Sequence, residues 1–320
     1  MIAAYREAEG RLIRLAPEAA LSDAIWIDML RPTEAETAAV MALGVDVPTL
    51  EDMEEIEISN RLYRENGTDY MTVQLTGHSE TNTPLAGPVT FILSPGRVVT
   101  VRHHDSRPFE TYPTRAEKVG PGCTSANRVF LSMIEEIIGR LADLLESSGR
   151  SLDSTSRSVY TPGGRGQNQK RLEVALRQIG REAELLGHIR LALLTLSRAL
   201  GFYSQTARER MGDEGMAPVT ANLLRDIDSL EVHTDFLSQR VALASDATLG
   251  MINLSQNSTV RIVSVVAVLF SPPTLIASIY GMNFDVMPEL AQPWGYPAAL
   301  VSMLAASLAA FLYFRWKNWL

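Results

Sequence analysis

The sequence predicts an α+β soluble domain of the α/β type, a long stalk helix that continues into the membrane, and two C-terminal transmembrane helices. Three observations predict this arrangement: charged residues are segregated, two uncharged apolar runs lie near the C-terminus, and one run carries small polar residues at helical spacing. Residues 1–260 contain 26 of the 29 basic and 35 of the 37 acidic side chains. The net charge of -8 argues against a general nucleic-acid binder, which normally presents a basic surface.

The soluble part shows alternating strand and helix signals. Short apolar runs rich in β-branched residues predict strands at 24–28, 70–75, 89–93 and 98–102. Longer amphipathic stretches predict helices at 33–43, 49–58, 126–159 and 169–211. We therefore expect residues 1–218 to form a cytoplasmic domain that includes a helical hairpin, followed by a stalk helix at 219–259.

Two uncharged runs, 262–280 with 19 residues and 294–314 with 21, match the length of about 20 residues that crosses a bilayer. Buried core helices are the alternative, which two adjacent runs of this length do not favour. We assign the first span to 260–283, the external loop to 284–293, the second span to 294–315 and a cytoplasmic tail to 316–320. Arg261, Arg315 and Lys317 flank the spans, so the positive-inside rule predicts that both termini are cytoplasmic.

The first span carries a stripe of small and polar residues at alternating steps of three and four, which share one helix face. This striped face consists of Asn257, Val260, Ser264, Ala267, Ser271, Thr274, Ser278 and Gly281. Polar residues in membrane helices usually face protein or water, so the stripe indicates either a pore lining or close helix packing.

A similar alternation of apolar residues precedes the span and extends the predicted helix to roughly 50 residues. This apolar seam consists of Leu223, Ile227, Leu230, Thr234, Leu237, Val241, Ala244, Thr248 and Met251. We interpret it as a continuation of the striped face and expect it to pack on copies of itself or on neighbouring helices.

The first span ends in YGMNF at 280–284, followed by MPEL at 287–290 and WGYP at 294–297. In these motifs, and more loosely over the whole chain, the sequence resembles the CorA family of divalent metal ion transporters. The resemblance implies a funnel-shaped homopentamer in the inner (plasma) membrane, with each first span lining a central pore. Mg²⁺ is the implied cargo, with Co²⁺ or Ni²⁺ as further ions. The implied partners are copies of the chain, membrane lipid and divalent cations, without an organic cofactor or nucleic acid.

The resemblance also assigns pore residues. It places the selectivity filter at Gly281, Met282 and Asn283, where five amide oxygens would accept hydrogen bonds from the water around Mg²⁺. It matches Asn257 and Thr274 to polar pore rings.

Further pore positions follow from the same comparison with the family. Asp246 corresponds to an acidic ring at the cytoplasmic mouth of the pore. Ser271 replaces a methionine that is frequent in the family, so the pore at this residue is expected to be wider or more polar. Val260 and Val263 are gate candidates, because bulky hydrocarbon at a narrow point gates by dewetting.

Acidic residues suggest two further roles. Asp285 and Glu289 in the external loop either concentrate cations at the entrance or are ordinary solvated acids. Five acids lie within residues 51–57, and the family binds regulatory Mg²⁺ between subunits through an acid in this region and one on the stalk. The resemblance therefore assigns Asp52 and Asp226 as regulatory ligands.

The sequence leaves other interpretations of the site and the function open. Glu55 and Asp228 are alternates for the regulatory ligands. The sequence contains neither a nucleophile–base pattern nor a GxxxxGK[ST] phosphate-binding loop, so we do not expect an enzyme. A ZntB-like zinc transporter and a membrane-tethered regulatory or scaffold protein without conduction are the alternatives to Mg²⁺ transport.

Overall fold

The computed structural model describes residues 1–55, 57–79, 81, 84–161, 165–211, 216–282, 287–288, 292–317 and 319. The chain forms two compact units. The first unit comprises Met1–Arg157 and Arg177–Ala244, and the second comprises Ser158–Leu176 and Ser245–Leu320.

A seven-stranded mixed sheet forms the centre of the first unit. Its strands are β1 (Ile2–Ala8), β2 (Arg11–Arg14), β3 (Trp26–Leu30), β4 (Leu62–Glu65), β5 (Thr68–His78), β6 (Pro84–Ser94) and β7 (Arg97–Arg102). The strand order is β2-β1-β3-β7-β6-β5-β4. The β3–β7 pair is parallel, and the other pairs are antiparallel.

Eight α-helices are present among the described residues. They are α1 (Glu34–Met41), α2 (Leu50–Glu54), α3 (Ile58–Arg61), α4 (Arg107–Arg115), α5 (Ala126–Tyr160), α6 (Arg165–Met211), α7 (Ala217–Tyr280) and α8 (Gly295–Trp316). Helix α7 alone has 64 residues, and the two units share its residues.

Both faces of the sheet are covered, because successive strand residues point to opposite sides. Trp26 belongs to the larger core, which includes Phe130 of α5, whereas its neighbour Ile27 belongs to a second core. Val40 of α1 and Met53 of α2 pack in that second core. This arrangement confirms the predicted α/β character of the soluble domain.

A buried ion pair joins the two parallel strands. Arg102 donates to Asp28 through Nη2 at 2.8 Å and through Nε at 3.1 Å. The Thr100 hydroxyl donates to Asp28 Oδ1 at 2.8 Å and accepts from Trp26 Nε1 at 3.1 Å. Because Arg102 and Thr100 satisfy its oxygens, the Asp28 carboxylate avoids the free-energy cost of a lone buried charge.

His104 lies in a tight site at the edge of this network and is 3% exposed. A Cβ atom on Gly77 would lie 2.4 Å from His104 Cδ2, and one on Gly87 would lie 2.7 Å from His104 Nδ1. Glycine is therefore required at both positions for the ring to fit. Burial, reinforced by the charge of Arg102, lowers the pKa of His104 to about 4.

We expect His104 to make the protein less stable as the pH falls from 6.5 to about 4. In the unfolded chain the imidazole protonates near pH 6.5, whereas in the folded protein it stays neutral until about pH 4. Protons therefore bind the unfolded state first and remove up to about 3 kcal/mol of stability. Thermal unfolding in detergent should show a weaker loss over this pH range for His104→Gln, and an identical loss in both proteins would contradict this role.

The strand and helix predictions are partly confirmed. The four predicted strands correspond to β3, β5, β6 and β7, with longer or shifted ends. Strands β1, β2 and β4 and helix α4 were not predicted, and α4 contains Pro108 in its first turn and Pro113 inside it. The helix predicted at 49–58 is divided, because Glu55 has an extended ψ of 138° that ends α2.

The prediction that the apolar seam continues the striped face is wrong. Leu223, Ile227 and Leu237 are buried in the main core of the first unit, so the seam packs on neighbouring helices of its own chain. The step from Met251 to Asn257 is six positions, which breaks the alternation of three and four. At about 100° per residue, this step changes the direction of the side chains by about 120°.

Three helical stretches among the described residues are long and apolar enough to cross a membrane: Gln169–Ala207, Ala217–Tyr280 and Gly295–Trp316. The most apolar window is 44% buried in the first stretch but only 6% buried in each of the other two. In the first stretch, α6 contributes Leu193, Leu196 and Leu200 to the main core. Burial inside the protein therefore accounts for the hydropathy of α6, while α7 and α8 leave their apolar surface exposed.

Candidate ion-conduction surface

All eight residues of the striped face are exposed in the single chain. The opposite side of α7 is covered: Val265 is buried, and Leu269, Pro272 and Ile276 are half-buried. These four residues lie about half a turn around the helix from the striped face. The Leu269 carbonyl accepts a hydrogen bond from Ser307 of α8, so α8 lies on the covered side.

Two hydroxyl groups of the striped face are oriented by the helix backbone. Ser264 Oγ donates to the Val260 carbonyl at 2.9 Å, and Thr274 Oγ1 donates to the Phe270 carbonyl at 2.7 Å. With the hydrogen used in this way, each oxygen offers lone pairs as a hydrogen-bond acceptor. Water bound to a cation directs its hydrogens outward, so such acceptors suit a hydrated cation.

Two consecutive prolines interrupt the hydrogen-bond ladder of α7. Because Pro273 has no N–H group, the Leu269 carbonyl lacks its usual partner four residues later. The Ser307 hydroxyl of α8 donates to this carbonyl at 3.3 Å and replaces the missing bond. Side-chain hydroxyls from neighbouring helices commonly satisfy backbone groups that proline frees in membranes.

Ser307→Ala is expected to destabilise the α7–α8 pair by about 0.5–2 kcal/mol, because the Leu269 carbonyl loses its donor in an apolar environment. Ser302→Ala is the matched control, since the Ser302 hydroxyl donates to the Ala299 carbonyl of its own helix at 2.8 Å. Thermal unfolding in detergent should show a lower midpoint for Ser307→Ala only. Equal midpoints for the two variants would contradict the contact.

The alternation of the striped face continues along α7 in the direction of its N-terminus. Asp246, Gly250, Asn253 and Asn257 follow at steps of four, three and four, and all are exposed. Sequence reasoning included Asp246 and Asn257 but missed Asn253, which the same spacing would have identified. Two amides and a carboxylate therefore precede Val260, which is 65% exposed.

The C-terminal end of the striped face is described only as far as Met282. The Gly281 N–H donates to the Ala277 carbonyl at 2.9 Å, which extends the helical hydrogen bonding to the predicted filter. A Cβ atom at Gly281 would lie 3.1 Å from the same carbonyl, so a larger residue would crowd the turn. Asn283 and the external-loop acids Asp285 and Glu289 lie outside the described residues.

The predicted regulatory acids lie on the surface of the first unit. Asp52 is the third residue of α2, and its Oδ2 accepts from the Thr49 N–H at 2.9 Å and from the Thr49 hydroxyl at 2.7 Å. These hydrogen bonds lower the pKa of Asp52. One carboxylate oxygen therefore holds the start of α2, and the charge persists at neutral pH.

The partner acids on α7 are also exposed. Asp226 and Asp228 flank Ile227, which is fully buried in the main core. The alternate residue Glu55 accepts a hydrogen bond from the Asn60 side chain. Among the described residues of one chain, no group of three or more His, Cys, Asp or Glu side chains could hold a metal ion.

Comparison with known proteins identifies the family of this chain. The pattern that describes the CorA-like Mg²⁺ transporter proteins matches residues 22–316. The chain belongs to the CorA family. Two relatives, the magnesium transport proteins CorA of Salmonella typhimurium and Escherichia coli, are each 35% identical to it over 325 residues, covering 100% of both chains.

Two solved structures share the fold of this chain. The CorA magnesium transporter from Methanocaldococcus jannaschii superimposes with a TM-score of 0.73 at 16% identity, over 100% of this chain and 99% of that chain. The cytoplasmic domain of ZntB from Vibrio parahaemolyticus gives a TM-score of 0.56 at 13% identity, over 78% of this chain and 97% of that one. At these identities the two structures show a common fold.

Proposed function

We propose that this member of the CorA family transports Mg²⁺ across the inner (plasma) membrane as a channel-like homopentamer, with Co²⁺ or Ni²⁺ as further cargo. The observation that carries the proposal is the striped face, which is polar, small and exposed on the side of α7 opposite α8. In a bilayer such a face requires protein or water against it. Copies of the same helix around a central axis would supply both.

Self-association is supported separately in the first unit. Val232, Phe236 and Leu243 of α7 are 72%, 53% and 69% exposed in the single chain. They recur at helical spacing, so they form an apolar strip that another copy of α7 would cover. Two spans in one subunit are too few to enclose an aqueous path, and assembly would place that path between subunits.

In this proposal the ion crosses the outer filter with its water shell. Mg²⁺ loses water reluctantly, so a ring of Asn283 amide oxygens would bind the hydrated ion, with Gly281 and Met282 completing the filter. Ser264, Ser271, Thr274 and Ser278 would then offer further acceptors, with small Ala267 between them.

The cytoplasmic half would contain the gate and its control. Val260 and Val263 would close the pore by dewetting, and Asn257, Asn253 and Asp246 would line its inner mouth. Mg²⁺ bound between subunits by Asp52 and Asp226 would favour the closed state through its higher affinity for that state.

Reconstitution of the purified protein into liposomes tests the proposal. We expect Mg²⁺ flux, and we expect Ser264→Leu to reduce it about ten-fold or more, because a bulky apolar side chain would narrow and dry the striped face. Ser302→Leu is the matched control, since Ser302 is an exposed serine of α8 that is likewise bonded to its own helix.

Each outcome separates the proposal from its alternatives. Flux that is lost in Ser264→Leu and kept in Ser302→Leu supports conduction along the striped face. Flux of Zn²⁺ without Mg²⁺ would favour a ZntB-like transporter. The absence of flux for every divalent ion would favour a tethered regulatory or scaffold protein.

A further inference from the structure

A cavity in the first unit is lined neither by residues of the striped face nor by the regulatory acids. It has a volume of about 360 Å³ and is bordered by β5, β6 and helices α4, α5 and α6. This volume lies within the range of roughly 300–1,000 Å³ that small-molecule sites occupy. Nothing in the proposed conduction path uses it.

Three arginines converge on the cavity from three different helices: Arg107 of α4, Arg140 of α5 and Arg181 of α6. Their guanidinium groups have no ion-pair or hydrogen-bond partner among the described residues. Some other arginines of this unit are paired, such as Arg102 with Asp28 and Arg115 with Glu136, each at 2.8 Å. In a chain of net charge -8, three unpaired guanidinium groups around one cavity indicate a site for an anion.

The backbone at the cavity supports the same charge preference. Helix α4 begins at Arg107, and its N-terminus has no side-chain cap, because the Ser106 hydroxyl donates to the Thr76 carbonyl at 3.0 Å instead. Thr76, Arg107 and Pro108 all line the cavity. Pro108 has no N–H and the Phe109 N–H donates to the Ser106 carbonyl, so this helix end contributes the positive end of its dipole and not a set of free N–H donors.

The other residues that line the cavity favour a ligand that has an uncharged part as well as an anionic group. Leu85, Leu144 and Leu185 provide an apolar surface. Two carboxylates, those of Glu182 and Glu184, also line the cavity. Glu184 is exposed, whereas Glu182 is buried at 6% exposure and accepts from Gln178 Nε2 at 2.7 Å. A buried carboxylate beside apolar walls accepts N–H donors, so the site combines an anion subsite with a subsite for a ring that carries an amino group.

We propose that this cavity binds a small organic phosphate of the mononucleotide class, with its phosphate on Arg107, Arg140 and Arg181 and its ring between the leucines and Glu182. Inorganic phosphate would satisfy the arginines alone, and a nucleoside would fill the apolar part alone. The site belongs to the soluble domain and does not depend on ion conduction.

Calorimetric titration of the purified full-length protein in detergent tests the site, in buffer with chelator so that Mg²⁺ does not compete for the phosphate. The probes are AMP, adenosine and inorganic phosphate. We expect AMP to bind at least about ten-fold more tightly than either fragment, and more weakly as salt increases. Arg181→Ala and Arg140→Ala should each weaken AMP binding by about ten-fold or more.

Arg198→Ala is the matched control, because Arg198 is an exposed arginine of α6 outside the cavity. It should leave AMP affinity unchanged, and an unchanged thermal midpoint in all variants will confirm that they fold. Glu182→Gln should reduce the preference for AMP over inorganic phosphate. The proposal is overturned if AMP binds no better than adenosine or no better than inorganic phosphate, if the cavity variants match Arg198→Ala, or if no probe binds at about 1 mM.

Discussion

Asn283→Ala is expected to reduce selective Mg²⁺ flux in liposomes by about 100-fold or more. Each subunit would lose an amide oxygen that accepts a hydrogen bond from the water around the ion. Hydrogen bonds to charged groups are worth roughly 1.5–3 kcal/mol each, and a fivefold ring loses several of them at once. The fluxes of Mg²⁺ and Na⁺, measured with ion-sensitive dyes, should converge as the filter loses its preference.

Asn283→Gln is the informative companion variant. It keeps the amide and adds one methylene group, so the ring narrows while its chemistry is retained. We expect Mg²⁺ flux to fall less than in Asn283→Ala and selectivity to be kept. If Asn283→Ala conducts Mg²⁺ with its original selectivity, the filter is not at this residue.

Much of the fold could be predicted from the sequence, because the deciding signals are local. Alternation of apolar residues identified β3, β5, β6 and β7, and the long uncharged runs identified the membrane ends of α7 and α8. Strand β4 has only four residues, and α4 contains two prolines that normally mark helix ends. Such elements form because neighbouring elements pack on them, which a local pattern does not record.

The candidate site was likewise predictable where its pattern is local and unpredictable where distant residues meet. A period of three and four was sufficient to place the striped residues on one face of α7, and the structure leaves that face exposed. The spacing also extends to Asn253, which the sequence analysis overlooked. In contrast, the contact between Ser307 and the Leu269 carbonyl joins residues 38 positions apart, and no periodicity in either helix reveals it.

The regulatory acids show a further limit of sequence patterns. The acidic run at 51–57, together with the resemblance to the CorA family, suggested carboxylates that are free to bind metal. Asp52 Oδ2 is instead occupied by the Thr49 N–H and hydroxyl in a capping box, a role that follows from the T-x-x-D spacing at 49–52. Any metal must therefore use the remaining oxygen of Asp52.

This geometry decides how the regulatory proposal should be tested. Asp52→Ala would remove both the charge and the cap of α2, so a loss of regulation could come from local unfolding. Asp52→Asn removes the charge and keeps an oxygen that accepts from Thr49. Combined with Asp226→Asn, it should raise the internal Mg²⁺ concentration that halves flux by about ten-fold or more, while flux at low internal Mg²⁺ stays unchanged.

The control removes two acids from the same helices: Glu51→Gln on α2 and Glu231→Gln on α7. It changes the net charge equally, so a purely long-range electrostatic effect would appear in both double variants.

If Asp52 and Asp226 bind one ion, the effects of their single variants will be non-additive, because removing either ligand already disrupts the shared site. Inhibition that survives Asp52→Asn with Asp226→Asn, but is lost in Glu55→Gln with Asp228→Asn, would move the site to the alternate pair. Inhibition that survives both double variants would show that internal Mg²⁺ closes the pore through other residues.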